Sequence, residues 1–295
     1  MKIAILLLIH EFTNQQKILI EHLSKDFDIY IHVDKRTDIN PESIANLSKN
    51  IYVYKKYKVY WGHYNQIQAT LLLFKMANAA KKYDRYIFIS GADLPIKTNK
   101  QIIDFFEHTD KEYLMTSKMP CDGLTDNGGF DRIDFFHARL LNRGKHNPVF
   151  IFFARAINKL NLSVLFPILK LFHIRRPRLN IDYYYGWNWM DLTDNCVSKI
   201  ITFLRENPKF LYRFKYTRCA DEIIFQTIIK NYIKDINVEN KVLRYIDWHT
   251  GPEHPRTYRI EDYNRIINSD CLFARKFNSE VDNEIINKIY EHLNS

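Results

Sequence analysis

Three kinds of side chain in this sequence have the type and placement to carry chemistry. Asp34 follows the apolar run Ile29–Val33, and Asp93 follows Tyr86–Ser90 across Gly91-Ala92, so two carboxylates stand at the tips of strand-like segments. Asp221-Glu222 opens a helix-like run, where the positive end of the helix dipole favours an ionised carboxylate ready to take a proton from an alcohol. Arg256, Arg259, Arg265, Arg275 and Lys276 form a basic stretch of the kind that holds phosphate groups. Trp187 and Trp189, in Gly186-Trp187-Asn188-Trp189, offer flat faces suited to the apolar face of a sugar ring. Each group also has a plain structural reading. Asp34 and Asp93 can cap turns, the Asp-Glu pair can cap a helix, and the tryptophans can pack in a core.

Several other machines are excluded by their missing motifs. The chain has no G-x-x-x-x-G-K-[ST] loop, no G-x-G-x-x-G fingerprint, no G-x-S-x-G elbow and no H-E-x-x-H pair. Asp247-Trp248-His249 and His254 lack a third spaced ligand, so no metal site is expected. Cys121, Cys196, Cys219 and Cys271 contain no C-x-x-C pair, which points to buried free thiols in a reducing compartment.

The elements that must position these groups alternate. Strands are expected at Ile3–Ile9, Ile29–Val33, Ile51–Tyr54 and Tyr86–Ser90, with helices at Asn14–Ser24, Pro41–Ser48 and Asn65–Lys82 between them. In the last helix Ile67, Leu71, Phe74 and Ala77 fall near helical spacing. Such alternation implies a mainly parallel sheet covered by helices on both faces, with ligands beyond the carboxyl ends of its strands. Asp110 to Gly129 reads as a loop ending in turn residues. Further on, a helix is expected at Asp194–Glu206, a strand at Leu243–Ile246, and helices around Ile260–Asn268 and Asp282–Leu293.

Composition sets the remaining bounds. With 46% hydrophobic residues the 295-residue chain can bury a sizeable core, and no flexible linker or repeat divides it, so one domain over 1–295 is expected. An amphipathic, basic insertion is expected at about 146–180. Its apolar stripe runs from Val149 to Phe172 and is followed by Arg175-Arg176-Pro177-Arg178. This segment fits either peripheral contact with an anionic membrane or a core helix with a solvated cationic end. Polar residues interrupt every long apolar run, so no membrane-spanning segment is expected, and the N-terminal run reads as a strand rather than a secretory leader.

Five ordered motifs add a resemblance. Ile31-His32-Val33-Asp34-Lys35, Tyr60-Trp61-Gly62, Ile89-Ser90-Gly91-Ala92-Asp93-Leu94-Pro95, Ala220-Asp221-Glu222 and Leu272-Phe273-Ala274-Arg275-Lys276-Phe277 follow one another over roughly residues 3 to 280. Together they resemble the core-2/I-branching β-1,6-N-acetylglucosaminyltransferase family, glycosyltransferase family 14, which includes the peptide O-xylosyltransferases. The resemblance implies a GT-A-type, Rossmann-like α/β fold and inverting transfer of a sugar from a UDP-sugar donor to an acceptor hydroxyl. It also implies no divalent metal and no other cofactor, since Gly91-Ala92-Asp93 stands where a D-x-D motif would hold one.

Carried over residue by residue, the resemblance makes Glu222 the catalytic base. Lys276, with Arg256 first and Arg259 second as the upstream arginine, would neutralise the departing diphosphate. Asp34 and Asp93 would border the donor, and Asp221, Trp187 and Trp189 the sugars. The Cys219-Ala220 pair departs from the Pro usual before the Asp-Glu pair. The donor sugar expected is GlcNAc, then xylose. The acceptor would be a glycan or lipid-linked saccharide in surface polysaccharide synthesis, at a cytoplasmic location that extends to the inner membrane face. Two other classes stay open: a basic nucleic-acid-binding protein, although its net charge of +9 is spread and no nucleic-acid motif is present, and a two-carboxylate glycosidase.

Overall fold

The computed structural model describes residues 1–125, 127–135, 137 and 176–294. The membrane-or-core segment at 146–180 lies outside the described residues except for 176–180. The strands are β1 (Ile3–Ile9), β2 (Asp28–Val33), β3 (Ile51–Tyr54), β4 (Arg85–Ser90), β5 (Asp93–Pro95), β6 (Glu112–Leu114), β7 (Ser117–Lys118), β8 (Tyr184–Tyr185), β9 (Met190–Thr193), β10 (Val238–Glu239), β11 (Arg244–Ile246) and β12 (Phe273–Arg275). The helices are α1 (Asn14–Leu23), α2 (Pro41–Ala45), α3 (Tyr64–Ala80), α4 (Asn99–Glu107), α5 (Asp131–Asp134), α6 (Asp194–Glu206), α7 (Pro208–Arg213), α8 (Ile224–Tyr232), α9 (Tyr263–Ile267) and α10 (Glu284–Asn294).

Seven strands form a central sheet in the order β10-β6-β9-β4-β1-β2-β3. β9 runs antiparallel to both neighbours, and the other pairings are parallel. β1 shows why its sequence reads as a continuous apolar run. Ile3, Ile5, Leu7 and Ile9 enter the core that α1, α4 and α10 cover, while Ala4 and Leu6 enter the core that α3, α6 and α8 cover. A strand buried on both faces has no polar side to alternate with. The result is the helix-flanked, mainly parallel α/β architecture expected, of the GT-A-like kind.

Caps fix where the helices begin. Thr13 forms a capping box with Gln16 at α1, Thr98 does so with Gln101 at α4, and the Thr193 hydroxyl accepts the Cys196 N–H at α6. A second sheet, β11-β12-β5, is tied to the first through Arg244. Its guanidinium pairs with the buried Asp191 of β9 and donates to the Phe88 carbonyl of β4 at 2.8 Å.

Two expectations are corrected. The 110–129 stretch is not all loop, because Glu112–Leu114 forms β6 between β9 and β10, and Ser117–Lys118 pairs with β8. Two- and three-residue strands held by distant partners leave no periodicity to read. Asp221-Glu222 also does not open an α-helix. Ala220–Glu222 is a 3-10 turn, and α8 begins at Ile224.

Candidate active site

The carboxyl ends of β1, β2 and β4 meet at the point where strand order reverses, the place where open α/β sheets bind ligands. A cleft of about 570 Å³ opens there, a size suited to a small-molecule ligand. His10 and Glu11 line it beyond β1, His32 and Asp34 at the end of β2, Ser90 at the end of β4, and Gly91 and Ala92 beyond it. Asp221, Glu222 and Arg275 enter from elements far away in sequence. All four tryptophans of the chain, Trp61, Trp187, Trp189 and Trp248, line this one cleft. Random core packing does not gather every copy of the largest aromatic residue at a strand-end crevice. Trp61 is 76% exposed, and Trp187 packs edge-on to Trp189 and tilted against Trp248, with ring centroids 6.3 and 5.8 Å apart.

The strand-end carboxylates are both engaged. Asp34 takes the Arg36 guanidinium, with Nε at 3.1 and 2.9 Å from its two oxygens, and the N–H groups of Arg36 and Val59. Burial works to raise its pKa, but these hydrogen bonds and the Arg36 charge outweigh it and hold the carboxyl below its usual range. Arg36 in turn sits 4.2 Å over the ring of Tyr60. Asp93 is fully buried and does not line the cleft. It accepts the Ser90 N–H at 2.6 Å and the Trp189 indole N–H at 3.3 Å, and pairs with Arg275 at 3.1 Å. The β5–β12 register sets Arg275 opposite Asp93, and the guanidinium also bonds the Ser90 hydroxyl and lies 4.8 Å from the Trp189 ring. Asp93 thus holds a cation and an indole in place from behind the wall.

The Asp221-Glu222 turn is built differently. Cys219, just before it, adopts a left-handed backbone with φ of 46°, and its N–H donates to the Gly62 carbonyl at 2.8 Å. A non-glycine residue in that region is a local strain of the kind found at functional sites. Gly62 itself has φ of 68°, and a Cβ there would lie 3.1 Å from the Cys219 sulfur. The Gly186 N–H bonds the Glu222 carbonyl at 2.9 Å, and a Cβ on Gly186 would lie 1.8 Å from the Met115 carbonyl oxygen, so only glycine lets the tryptophan segment pass this close to the Met115 backbone.

Asp221 accepts from Gln66 at 2.7 Å and from Asn188 at 3.4 Å through Oδ2, while its buried Oδ1 has no partner. Glu222 is 26% exposed and pairs with Arg132 at 2.6 Å. Burial pushes the pKa of both carboxyls up, and the Glu222 charge pushes Asp221 further, while Arg132 opposes the rise. The ionised state of Glu222 is therefore supported by Arg132, not by a helix dipole. Burial also lowers the His32 pKa to about 4, and its Nε2 accepts the Tyr57 N–H at 3.0 Å. The buried polar atoms without partners in residues lining the cleft are His32 Nδ1, Asp221 Oδ1, Trp248 Nε1 and Arg275 Nε. Unpaired groups of this kind at a cleft wall suit a polar ligand.

The structure brings together Asp34, Asp221, Glu222, Trp187 and Trp189 of the residues expected from sequence. Arg256, Arg259 and Lys276 are outside the lining, although His254 and Pro255 belong to it. The Arg256 guanidinium is turned to Asp262 and Glu261 at 2.9 and 3.3 Å. Arg259 bonds the Thr257 carbonyl at 3.0 Å and lies 3.7 Å from Glu253. Lys276 follows Arg275 at the end of β12 and exchanges backbone bonds with Arg256 and Tyr258. Sequence reasoning placed Arg275 only in a general basic stretch and gave the diphosphate role to the neighbouring lysine of the same motif, whereas Arg275, with Arg36, lines the cleft. It also missed Trp248, read only for metal ligation, and Arg132, which no motif marked. Among the described residues, no group of three or more His, Cys, Asp or Glu side chains is placed to hold a metal ion. No helix among them is long and apolar enough to cross a membrane, and all four cysteines are unpaired.

Comparison with known proteins agrees with this architecture. A family model described as Core-2/I-Branching enzyme matches residues 3–267. Xylosyltransferase 2 of Rattus norvegicus is 22% identical over 326 aligned residues, which cover 99% of this chain and 34% of the relative. Xylosyltransferase 1 of Homo sapiens is 24% identical over 320 residues, which cover 99% and 30%. The chain spans about a third of the length of these curated relatives. The family match takes in β1 to α9, and with them the strand ends, the tryptophan segment and the Asp221-Glu222 turn; the chain belongs to the Core-2/I-Branching enzyme family.

Proposed function

We propose that this chain is an inverting glycosyltransferase that moves a sugar from a UDP-sugar to an acceptor hydroxyl, with Glu222 as base. The acceptor oxygen attacks the anomeric carbon and its proton passes to Glu222. The bond from that carbon to the β-phosphate oxygen breaks, and the electron pair leaves with UDP. The single observation that carries the reading is the entry of Glu222 and Arg275 into the same tryptophan-lined cleft beyond the sheet. Arg275, which lines the cleft, is the diphosphate cation in this account, with Lys276 beside it on the same motif, while Arg256 and Arg259 lie outside the lining. Asp34 and Arg36 border the nucleotide end, and Trp187 and Trp248 offer their faces to the sugars.

Independence from a divalent metal belongs to the proposal. The carboxylate at the position of a D-x-D motif, Asp93, is turned inward and already holds Arg275, Ser90 and Trp189. Xylose is the donor sugar to try first, because the relatives are named xylosyltransferases, and GlcNAc is second. A glycan or lipid-linked acceptor, and work at a cytoplasmic membrane face, complete the proposal. The test is a panel of UDP-sugars, including UDP-xylose and UDP-GlcNAc, scored for UDP release in EDTA. At least one should be consumed and UDP should raise the melting temperature. Binding that ignores UDP and collapses with salt would instead favour a nucleic-acid partner.

A further inference from the structure

We propose that Arg132 is a positioning residue that clamps Glu222 through Oε2, keeping it a carboxylate and leaving Oε1 for the acceptor hydroxyl; this rests on the reading of Glu222 as base. Arg132 Nη1 donates to Glu222 Oε2 at 2.6 Å across 90 residues of sequence, and the side chains are 14% and 26% exposed. Both partners are fixed through the backbone. The Arg132 N–H bonds the Gly129 carbonyl at 3.1 Å, and the Arg132 carbonyl accepts the Arg218 N–H at 3.2 Å, tying α5 to the segment that leads into the turn. The Arg132 guanidinium also lies 5.4 Å over the Tyr185 ring. Such a stacked, hydrogen-bonded guanidinium is held in one orientation, as a flexible ammonium would not be.

The surroundings explain why a clamp is needed. Besides Arg132 from α5, the groups that face this carboxyl are Tyr185 from β8 and Arg218, Cys219 and Asp221 from its own segment, with Cys121 beside Tyr185. Burial favours a protonated Glu222, and a protonated acid cannot accept the hydroxyl's proton. Arg132 is the hydrogen-bonded cation that counters burial, and Arg218 acts only through its charge. Without Arg132 the Glu222 pKa rises further, so the acidic limb of the rate profile moves to higher pH.

The experiment is carbon NMR of protein labelled at the glutamate carboxyl carbons, with the Glu222 signal identified by its loss in Glu222→Gln. In Arg132→Met and Arg132→Gln the Glu222 midpoint should rise by roughly one pH unit or more, and Arg132→Lys should restore much of the difference. The kcat/KM limb for the UDP-sugar consumed should move with the midpoint. An unmoved midpoint in a folded neutral variant overturns the clamp. Should neither neutral variant fold, guanidinium nitrogen NMR of the wild type decides. The Arg132 signal should follow the Glu222 midpoint and lose that pH response in Glu222→Gln, and a signal indifferent to Glu222 overturns the proposal. An intact Arg132–Glu222 coupling in a protein that consumes no UDP-sugar would instead overturn the proposed function.

Discussion

The carboxylates at the strand ends and those at the 3-10 turn have opposite fates. At the strand ends, Asp34 and Asp93 have their oxygens occupied by an arginine and by backbone or indole N–H groups. At the 3-10 turn, among the described residues, Asp221 keeps an unpartnered buried oxygen, and the Glu222 carboxylate has a single partner, Arg132. A saturated carboxylate builds structure, while an under-coordinated one in a partly desolvated wall is available to react. The same residue type therefore serves as scaffold on one side and as reagent on the other.

This contrast can be broken in several places. Glu222→Gln should bind UDP as the wild type does and lose at least about 10²-fold in turnover, the lower end for a positioned base; near-full turnover would move the base elsewhere. Asp93→Ala should act on stability. It strips a buried partner from Arg275, and denaturant unfolding should show a loss of roughly 3 kcal/mol. A stability change within about 0.5 kcal/mol, as at an ordinary surface site, would mean the strand-end acid is no scaffold.

Arg275→Ala should weaken UDP about tenfold or more, as expected for a charge-assisted contact, and leave uridine less affected. Lys276→Ala should weaken UDP more than uridine in the same way. Calorimetry with both ligands checks each variant, and equal losses would remove the residue from the diphosphate. The smallest effect concerns Asp34. Its folded pKa lies below its ordinary value, so its stabilisation is present above that value, near 3.8, and lost as pH falls through the folded one. The stability difference between wild type and Asp34→Asn should therefore shrink as pH drops below about 4; a difference that grows on acidification would reverse the assignment.

Much of the frame was legible in the sequence because it is local. β1 to β4 and the helices between them follow from apolar runs and helical spacing, and the two acidic strand tips follow from where those runs end. Ile67, Leu71, Phe74 and Ala77 are buried as their spacing implies. What was not legible depends on distance. β6 and β9 exist because each pairs with the other and with a further strand, and two to four residues carry no period of their own. Arg256 looked free in sequence and is bound to Asp262, six residues on. Arg132 looked like any arginine after a turn, and only the fold brings it to Glu222. The tryptophans stood at known positions, but nothing in their spacing announced that all four share one cleft.

The most direct test of the central claim is proton NMR of the sugar first formed when the enzyme consumes UDP-α-xylose in EDTA. One base and a direct displacement predict a β-configured product at early times with no metal added. An α-configured first product, or turnover that stops on chelation and returns with manganese, would contradict the account.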